Sequence, residues 1–288
     1  MYLLQERSEI YHLDYPYLPG ITKTVDNEQK ELSDYLFDNL ELKKNDEVIT
    51  QALTFVATAN AIAYNSAHPV FLDVDFDTMG LSPKAVSDFL DEFGQLRDDG
   101  CYNKSTGRKI SACLPMHTFG FPVHLNALMT VCSKWNIPVV EDAAESIGSE
   151  YNEQPTSSFG KLGVFSFNGN KIVTSGGGGA IVTNDIELGL KAKHLTTTAK
   201  VPHPYEYVHD EIGFNYRMGG LEGASLGVKI KYIDSWNNRR KEIASMYKNQ
   251  INNKMQEIND ILHTELAAGS SLENAIIKAK SLLLYQDI

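Results

Sequence analysis

Lys171 lies in the stretch of this sequence whose composition most favours chemistry. The apolar segment GVFSFN, residues 163–168, precedes it, and four consecutive glycines, residues 176–179, follow it. A lysine that such segments shield from water can lose its proton, and its amine then acts as a nucleophile toward an aldehyde. The plainer interpretation is an exposed lysine in a hairpin, and the segment alone does not decide between the two.

Asp142 is a second candidate because of its place after an apolar strand pattern. It follows IPVVE, residues 137–141, directly. Ligands of open α/β sheets bind outside the carboxyl ends of the strands, so a carboxylate at this point can enter a binding cleft. The alternative is a helix cap, in which Asp142 or Glu141 accepts hydrogen bonds from the first amides of a following helix.

Two further segments carry weaker signals. EIGFNYRM, residues 211–218, offers an asparagine and an arginine between aromatic residues, which by itself is typical of an amphipathic strand or turn. The glycine run lacks the strand–GxGxxG–helix context of a dinucleotide site, and the GK[ST] of a phosphate loop does not follow it. A Rossmann dehydrogenase is therefore disfavoured, although the α/β pattern of the chain would suit one.

Strand patterns alternate with helix patterns between residues 46 and 142. The strands are predicted over DEVIT, PVFLDVD, ISACLP and IPVVED. The helices are predicted over TFVATANAIAYNSA, from the cap Ser82-Pro83 through Leu90, and over residues 126–135. This alternation predicts an α/β layered domain with a mainly parallel sheet. Helix is also predicted over residues 27–42 and over most of the chain after Leu221, with a turn near residues 269–271.

Composition and charge exclude several classes of protein. The 288 residues, 42% of them hydrophobic, suffice for one large domain with an appendage or for two modest domains. A net charge of −11 argues against nucleic acid and anionic membranes as partners. Cys101, Cys113 and Cys132 have no metal-ligand spacing, which predicts no metal site and no disulfide framework. No membrane span and no clean signal peptide stand out, so a cytoplasmic protein is expected.

Six segments, in this order, resemble the DegT/DnrJ/StrS family of sugar aminotransferases. They lie between residues 46 and 240 and are DEVITQALTFVATANAI, PVFLDVD, PMHTFGFPVHLNAL, VVEDAAESIGSEY, FGKLGVFSFNGNKIVTSGGGGAIVTND and GFNYRM. The resemblance implies the aspartate-aminotransferase fold, known as fold type I, with a three-layer α/β domain. It divides the chain into an atypical segment over residues 1–44, a cofactor-binding domain over 45–235 and a helical remnant of the small domain over 236–288.

The resemblance also implies a role for three residues around the ring of pyridoxal phosphate. Lys171 matches the lysine that bonds covalently to this cofactor and moves a proton during transfer, whereas related sugar dehydratases have histidine there. Asp142 matches the aspartate that pairs with the pyridine nitrogen and keeps it protonated, so that the ring withdraws electrons. Glu145 matches a position beside the phenolic oxygen, where histidine or glutamine is commoner in the family.

Four more positions complete the implied site. Phe55 matches an aromatic residue that stacks on the ring, with an ordinary core phenylalanine as the alternative. Ser166 matches a serine that binds the phosphate, and Asn215 matches an asparagine that reaches the phosphate of the neighbouring subunit, which implies a homodimer with shared sites. His117 matches a family loop near the cofactor, although a loop histidine is often only hydrogen-bonded scaffold.

The implied activity is transfer of an amino group from an amino acid, with glutamate expected, to a nucleotide-linked 4-keto-6-deoxy sugar. The sequences of the six segments are similar to those of the family branch that makes precursors of bacterial surface glycans such as legionaminic acid. Two departures support an alternative, a weakened homologue that binds cofactor or nucleotide sugar, or is a partner subunit. No Ser-Gly-Thr turn for the phosphate, and no glycine, occurs between Gly20 and Gly80. The last helical stretch does not match the family's small domain.

Overall fold

The computed structural model describes residues 2–4, 10–12, 21–22 and 42–284. All but the last residue of the helix predicted over residues 27–42 lies outside these residues, as does most of the stretch that lacks a Ser-Gly-Thr turn. The chain divides into two compact units, residues 1–231 and residues 232–288. The domain boundaries predicted from the resemblance stay a prediction.

Fifteen strands occur in the described part of the first unit, and they are numbered in chain order. They are β1 Tyr2–Leu4, β2 Ile10–His12, β3 Ile21–Thr22, β4 Glu47–Gln51, β5 His68–Leu72, β6 Gly94–Arg97, β7 Gly100–Asn103, β8 Lys109–Leu114, β9 Val140–Asp142, β10 Glu150–Tyr151, β11 Gln154–Pro155, β12 Leu162–Ser166, β13 Gly179–Val182, β14 Lys200–Val201 and β15 Val208–His209. The four strands predicted between residues 46 and 142 correspond to β4, β5, β8 and β9.

The helices include those predicted from capping and periodicity. They are α1 Val56–Tyr64, α2 Pro83–Phe93, α3 Leu125–Lys134, α4 Ile186–Thr196, α5 Gly220–Lys229, α6 Ile233–Ala267 and α7 Leu272–Leu284, with 3₁₀ turns at Thr118–Gly120 and Ile230–Tyr232. The Ser82 side chain accepts a hydrogen bond from the Ala85 amide at the start of α2, as the Ser-Pro pair predicts. The elements that were not predicted include the hairpin β6–β7 and helix α4.

The sheet that carries the site combines parallel and antiparallel strand pairs. One group of strands has the order β5-β4-β8-β7-β6, and another has the order β3-β13-β12-β9. Strand β4 is parallel to β5 and β8, and β12 is parallel to β9. Isolated parallel bridges from Cys113 to Val139 and from Met116 to Asp142 connect β8 with β9. The α/β class is therefore confirmed, and the sheet is mixed because β7 and β13 each pair antiparallel with both of their neighbours.

Helices cover both faces of this sheet, which makes the unit three-layered. Neighbouring strand residues such as Val48 and Ile49 belong to different hydrophobic clusters, because successive side chains of a strand point to opposite faces. One cluster includes Ala61 and Ile62 of α1, and the other includes residues of α2 and α3. All three cysteines are buried free thiols. A sheet buried on both faces exposes its ligand-binding groups only at the strand ends.

The second unit consists of the long helix α6 and the shorter helix α7. Gly269, with a φ of 86°, lies in the turn between them, where the sequence predicts a turn. An ion pair between Lys278 and Glu265 links the two helices. No helix in the described ranges is both long enough and apolar enough to cross a membrane.

Candidate active site

The carboxylate of Asp142 is buried at the carboxyl end of β9. Its Oδ2 accepts a hydrogen bond of 2.7 Å from the Thr58 hydroxyl, and its Oδ1 accepts one of 3.2 Å from the Ala144 amide. Burial raises the pKa of Asp142, and the hydrogen bonds from Thr58 and Ala144, with the electrostatic influence of His117 and Lys171, oppose this rise. These interactions offset only part of the cost of burying the negative charge of Asp142. A cationic group bound beside the carboxylate would therefore stabilise its ionised form.

Lys171 lies in the turn that follows β12, the strand beside β9. Its amide donates to the Asn168 carbonyl, which shapes the turn, and its Nζ lies 3.3 Å from Oε1 of Glu145. The side chain of Lys171 is only 11% exposed. The structure therefore brings three predicted site residues, Lys171, Asp142 and Glu145, to the same end of neighbouring strands.

Glu145 connects this lysine to the loop after β8. Its Oε2 accepts a hydrogen bond of 3.1 Å from the Phe119 amide, while its Oε1 accepts one from Lys171. Phe119 has a φ of 54°, and its side chain is exposed. The two oxygens of one carboxylate thus fix the position of the lysine relative to a loop in the left-handed conformation.

Phe55 and Ser166 lie at the borders of this group. Phe55 precedes the first residue of α1 and is 61% exposed, so the interpretation as an ordinary core phenylalanine is wrong. Thr58, which donates to Asp142, lies three residues after Phe55 on the same helix turn. Ser166 is the last residue of β12, and its hydroxyl accepts a hydrogen bond of 3.4 Å from the Asn168 amide.

The described contacts of Asn215 are with residues outside this group. It forms an isolated bridge with Thr197, which follows α4, and its side-chain oxygen accepts a hydrogen bond of 3.0 Å from Arg217. In the part of the chain that the structure describes, no hydrogen bond joins Asn215 to Lys171, Asp142 or Glu145. Its expected role toward a neighbouring subunit stays a prediction.

His117 is a buried scaffold residue in this structure. Its Nδ1 accepts a hydrogen bond of 3.3 Å from the Val123 amide, so the proton belongs on Nε2, which donates to Glu141 over 3.1 Å. Glu141 also accepts hydrogen bonds from the amides of Ser157, Phe159 and Gly160. Glu141 therefore fixes a loop before β12 and does not cap a helix after β9.

We expect Glu141→Gln to destabilise the fold by about 3 kcal/mol, because the new NH₂ group would face donors that now meet an acceptor. Urea unfolding of the variant and the parent protein measures this difference. Asp88→Asn, which removes one partner of the exposed Lys84–Asp88 pair, is the control and should change stability by less than about 1 kcal/mol. Equal losses in the two variants would contradict the role of Glu141.

Thr58 is the contact that sequence reasoning missed. It lies 84 residues from Asp142 in the chain, and its own segment predicts only a helix of small and apolar residues. Asp75, Asp77 and His124 also lie together unexpectedly, with Nε2 of His124 3.0 Å from Asp77 and 3.9 Å from Asp75. These three side chains have metal-ligand types, and their pairing is already explained by ordinary ion pairs on the surface.

Known proteins share both the sequence and the fold. The DegT/DnrJ/EryC1/StrS aminotransferase family model matches residues 34–281. EpsN of Bacillus subtilis (strain 168) is 38% identical over 213 residues, 74% of this chain and 52% of that protein. GDP-perosamine synthase of Escherichia coli O157:H7 is 35% identical over 228 residues, 78% of this chain and 58% of that protein.

A solved structure extends the likeness to three dimensions. The aminotransferase TlmJ from Streptoalloteichus hindustanus superposes with a TM-score of 0.68 at 26% identity, covering 80% of this chain and 57% of that one. The chain thus spans just over half the length of each of these three proteins. With Lys171 and Asp142 at the ends of parallel strands in a three-layer unit, these matches show that the chain belongs to the DegT/DnrJ/EryC1/StrS aminotransferase family and has the architecture of fold type I.

Proposed function

We propose that the protein is a pyridoxal-phosphate-dependent aminotransferase that passes an amino group from an amino acid to a nucleotide-linked keto sugar. The observation that carries this proposal is the grouping of Lys171, Glu145 and buried Asp142 at one end of β9 and β12. A lysine amine 3.3 Å from one carboxylate and electrostatically coupled to a second is suited to an aldehyde ligand that also bears a cationic nitrogen.

The residues present fit this cofactor. Asp142 would accept a hydrogen bond from the protonated ring nitrogen, which gives the buried carboxylate the cationic partner that its environment favours. Lys171 would bond to the cofactor's aldehyde carbon, and its amine would later hold or return a proton. Exposed Phe55 would cover one face of the ring, and Ser166 would donate to the phosphate. When bound, the cofactor supplies an electron sink for the substrate carbon that exchanges its amino group.

The substrates are proposed from the relatives and from the resemblance of the segments. GDP-perosamine synthase is named for a nucleotide-linked amino sugar, which supports a nucleotide-linked 4-keto-6-deoxy sugar as the acceptor. Glutamate is proposed as the amino donor, and the product is proposed to enter bacterial surface glycans, with the legionaminic-acid type as the specific branch. We also propose a cytoplasmic homodimer in which Asn215 reaches the phosphate bound by its partner.

A second candidate function is binding without turnover, as a cofactor-binding or nucleotide-sugar-binding partner subunit. The observation that favours it is the absence of Ser-Gly-Thr and of any glycine between Gly20 and Gly80. Without backbone amides at a helix N-terminus, the phosphate would depend on Ser166 and Asn215. Loss of such charge-assisted hydrogen bonds weakens binding by about 1.5–3 kcal/mol each.

Reduction with borohydride after addition of pyridoxal phosphate tests the first candidate. We expect a visible absorption band before reduction and, in the peptide map, an adduct on Lys171. Lys161, which is exposed and only ten residues away, is the internal control and should carry no comparable adduct. Transfer from glutamate to a nucleotide-linked keto sugar then separates the two candidates, since an adduct without transfer supports the binding protein. Absence of any adduct would contradict both the aminotransferase and the cofactor-binding subunit, and would leave only a nucleotide-sugar-binding partner subunit.

A further inference from the structure

Two threonines of α1 and its preceding loop form a line of hydroxyl groups that ends on Asp142. The Oγ1 atoms of Thr54 and Thr58 are 2.7 Å apart, and Thr58 Oγ1 is 2.7 Å from Asp142 Oδ2. Thr54 Oγ1 also lies 2.9 Å from the sulfur of Met116. Thr58 is 1% exposed and Asp142 is 3% exposed, so water does not substitute for these contacts.

The number of hydrogens available determines which hydroxyl group in this line donates and which accepts. A hydroxyl group has one hydrogen to donate and two lone pairs with which to accept. If Thr58 donates to an ionised Asp142, the 2.7 Å contact with Thr54 requires Thr54 to donate to Thr58. The hydrogen of Thr54 is then unavailable to the Met116 sulfur. Both hydroxyl groups therefore point toward the carboxylate, and each polarises the next.

We propose that Thr54 and Thr58 are positioning residues that hold Asp142 ionised and fix its orientation toward the ring nitrogen of the cofactor. The line of hydrogen-bonded hydroxyl groups is a property of the protein alone. Its effect on cofactor binding rests on the proposed function. A proton on Oδ2 of the carboxyl, directed at Thr58, reverses the line. Asp142 then donates to Thr58, Thr58 donates to Thr54, and Thr54 donates to the weak acceptor sulfur of Met116, which makes this neutral arrangement the poorer one.

The charged and titratable groups near Asp142 form hydrogen bonds with other partners, so the two threonine hydroxyl groups are the ones that stabilise its ionised carboxylate. Lys171 faces it from the turn after β12 but is hydrogen-bonded to Glu145, and His117 faces it from the loop after β8 but donates its Nε2 proton to Glu141. Among the causes that lower the pKa of Asp142, the hydrogen bond from Thr58 is the largest, ahead of the Ala144 amide and the electrostatic influence of His117 and Lys171. Desolvation is the only larger influence, and it acts in the opposite direction.

Titration of the Asp142 carboxyl in the cofactor-free protein tests this line of hydroxyl groups directly. The carboxyl carbon is followed by NMR with ¹³C-labelled aspartate, and Asp142→Asn identifies its signal. We expect the midpoint to move to higher pH in Thr58→Val, to move less in Thr54→Val, and to return toward the parent value in Thr58→Ser. Thr50→Val is the matched control, because the buried Thr50 hydroxyl donates to the Leu114 carbonyl and not to Asp142.

A parallel measurement with pyridoxal phosphate gives the functional consequence. We expect Thr58→Val to weaken cofactor binding about 10- to 100-fold, since hydrogen bonds to charged groups contribute on that scale. An unchanged Asp142 midpoint in Thr58→Val overturns the inference, as does a Thr54→Val midpoint identical to that of the parent. Failure of the parent protein to take up cofactor would count against the proposed function only, because the titration needs no cofactor.

Discussion

Lys171→Ala is expected to abolish the borohydride-stable adduct and to lower amino transfer by about four orders of magnitude. The variant loses both the amine that bonds to the cofactor's aldehyde and the group that holds the transferred proton, and a proton-transfer group alone contributes about 10²- to 10⁴-fold. The fold should survive, because among the described residues the Lys171 side chain forms an ion pair only with Glu145, and the Glu145 carboxylate is partly exposed to solvent. Adduct mapping, transfer assays and thermal unfolding together measure these effects.

A second lysine variant is the control for this result. Lys161→Ala removes an exposed lysine in the same region, whose backbone amide, and not its amine, contacts the Val139 carbonyl. Its adduct and transfer rate should match those of the parent protein. A borohydride-stable adduct that persists in Lys171→Ala and disappears in Lys161→Ala would reverse the assignment.

Asp142→Asn is expected to lower transfer by about 10²- to 10³-fold while cofactor still binds, because a neutral amide does not stabilise the protonated ring nitrogen. Electrostatic groups of this kind act on the charge that develops during reaction, so the loss should appear chiefly in kcat. Near-normal turnover in this variant would contradict the pairing of Asp142 with the ring. Asp98→Asn, which changes an exposed carboxylate, is the control.

Asp142→Asn should also change how the stability of the cofactor-free protein depends on pH. Burial raises the pKa of Asp142 in the folded state above its usual value of 3.8, so the folded state binds the proton more tightly than the unfolded chain. Stability from this group is complete below about pH 3.8 and is lost as the pH rises through the higher folded-state pKa. Relative to the parent, Asp142→Asn should therefore gain stability as the pH is raised above about 3.8. A difference in unfolding free energy that stays constant as the pH is raised would contradict the burial argument.

Local patterns in the chain were sufficient for much of the central sheet. Buried strands such as β4 contain consecutive β-branched residues, Val48, Ile49 and Thr50, and the Ser82-Pro83 cap marks the start of α2, so both are encoded within a few residues. The hairpin β6–β7 escaped prediction because its edge position leaves a polar, irregular sequence, and α4 escaped because Gly189 weakens its helical pattern. Pairing at the edges depends on neighbours distant in sequence, which is why the antiparallel pairing of this hairpin with β8 was not foreseen.

The sequence by itself determined the kinds of chemistry available, since Lys171 beside the glycine run and Asp142 after a buried strand are local features. Tertiary structure decided which groups meet them. The parallel register of β9 and β12, with Asp142 opposite Val164, sets the two strand ends side by side, and the turn after β12 then carries Lys171 to Glu145. Contacts between such residues follow from strand register and helix packing, which a linear pattern does not contain. For the same reason only the folded chain shows that His117 is scaffold and that Phe55 is exposed.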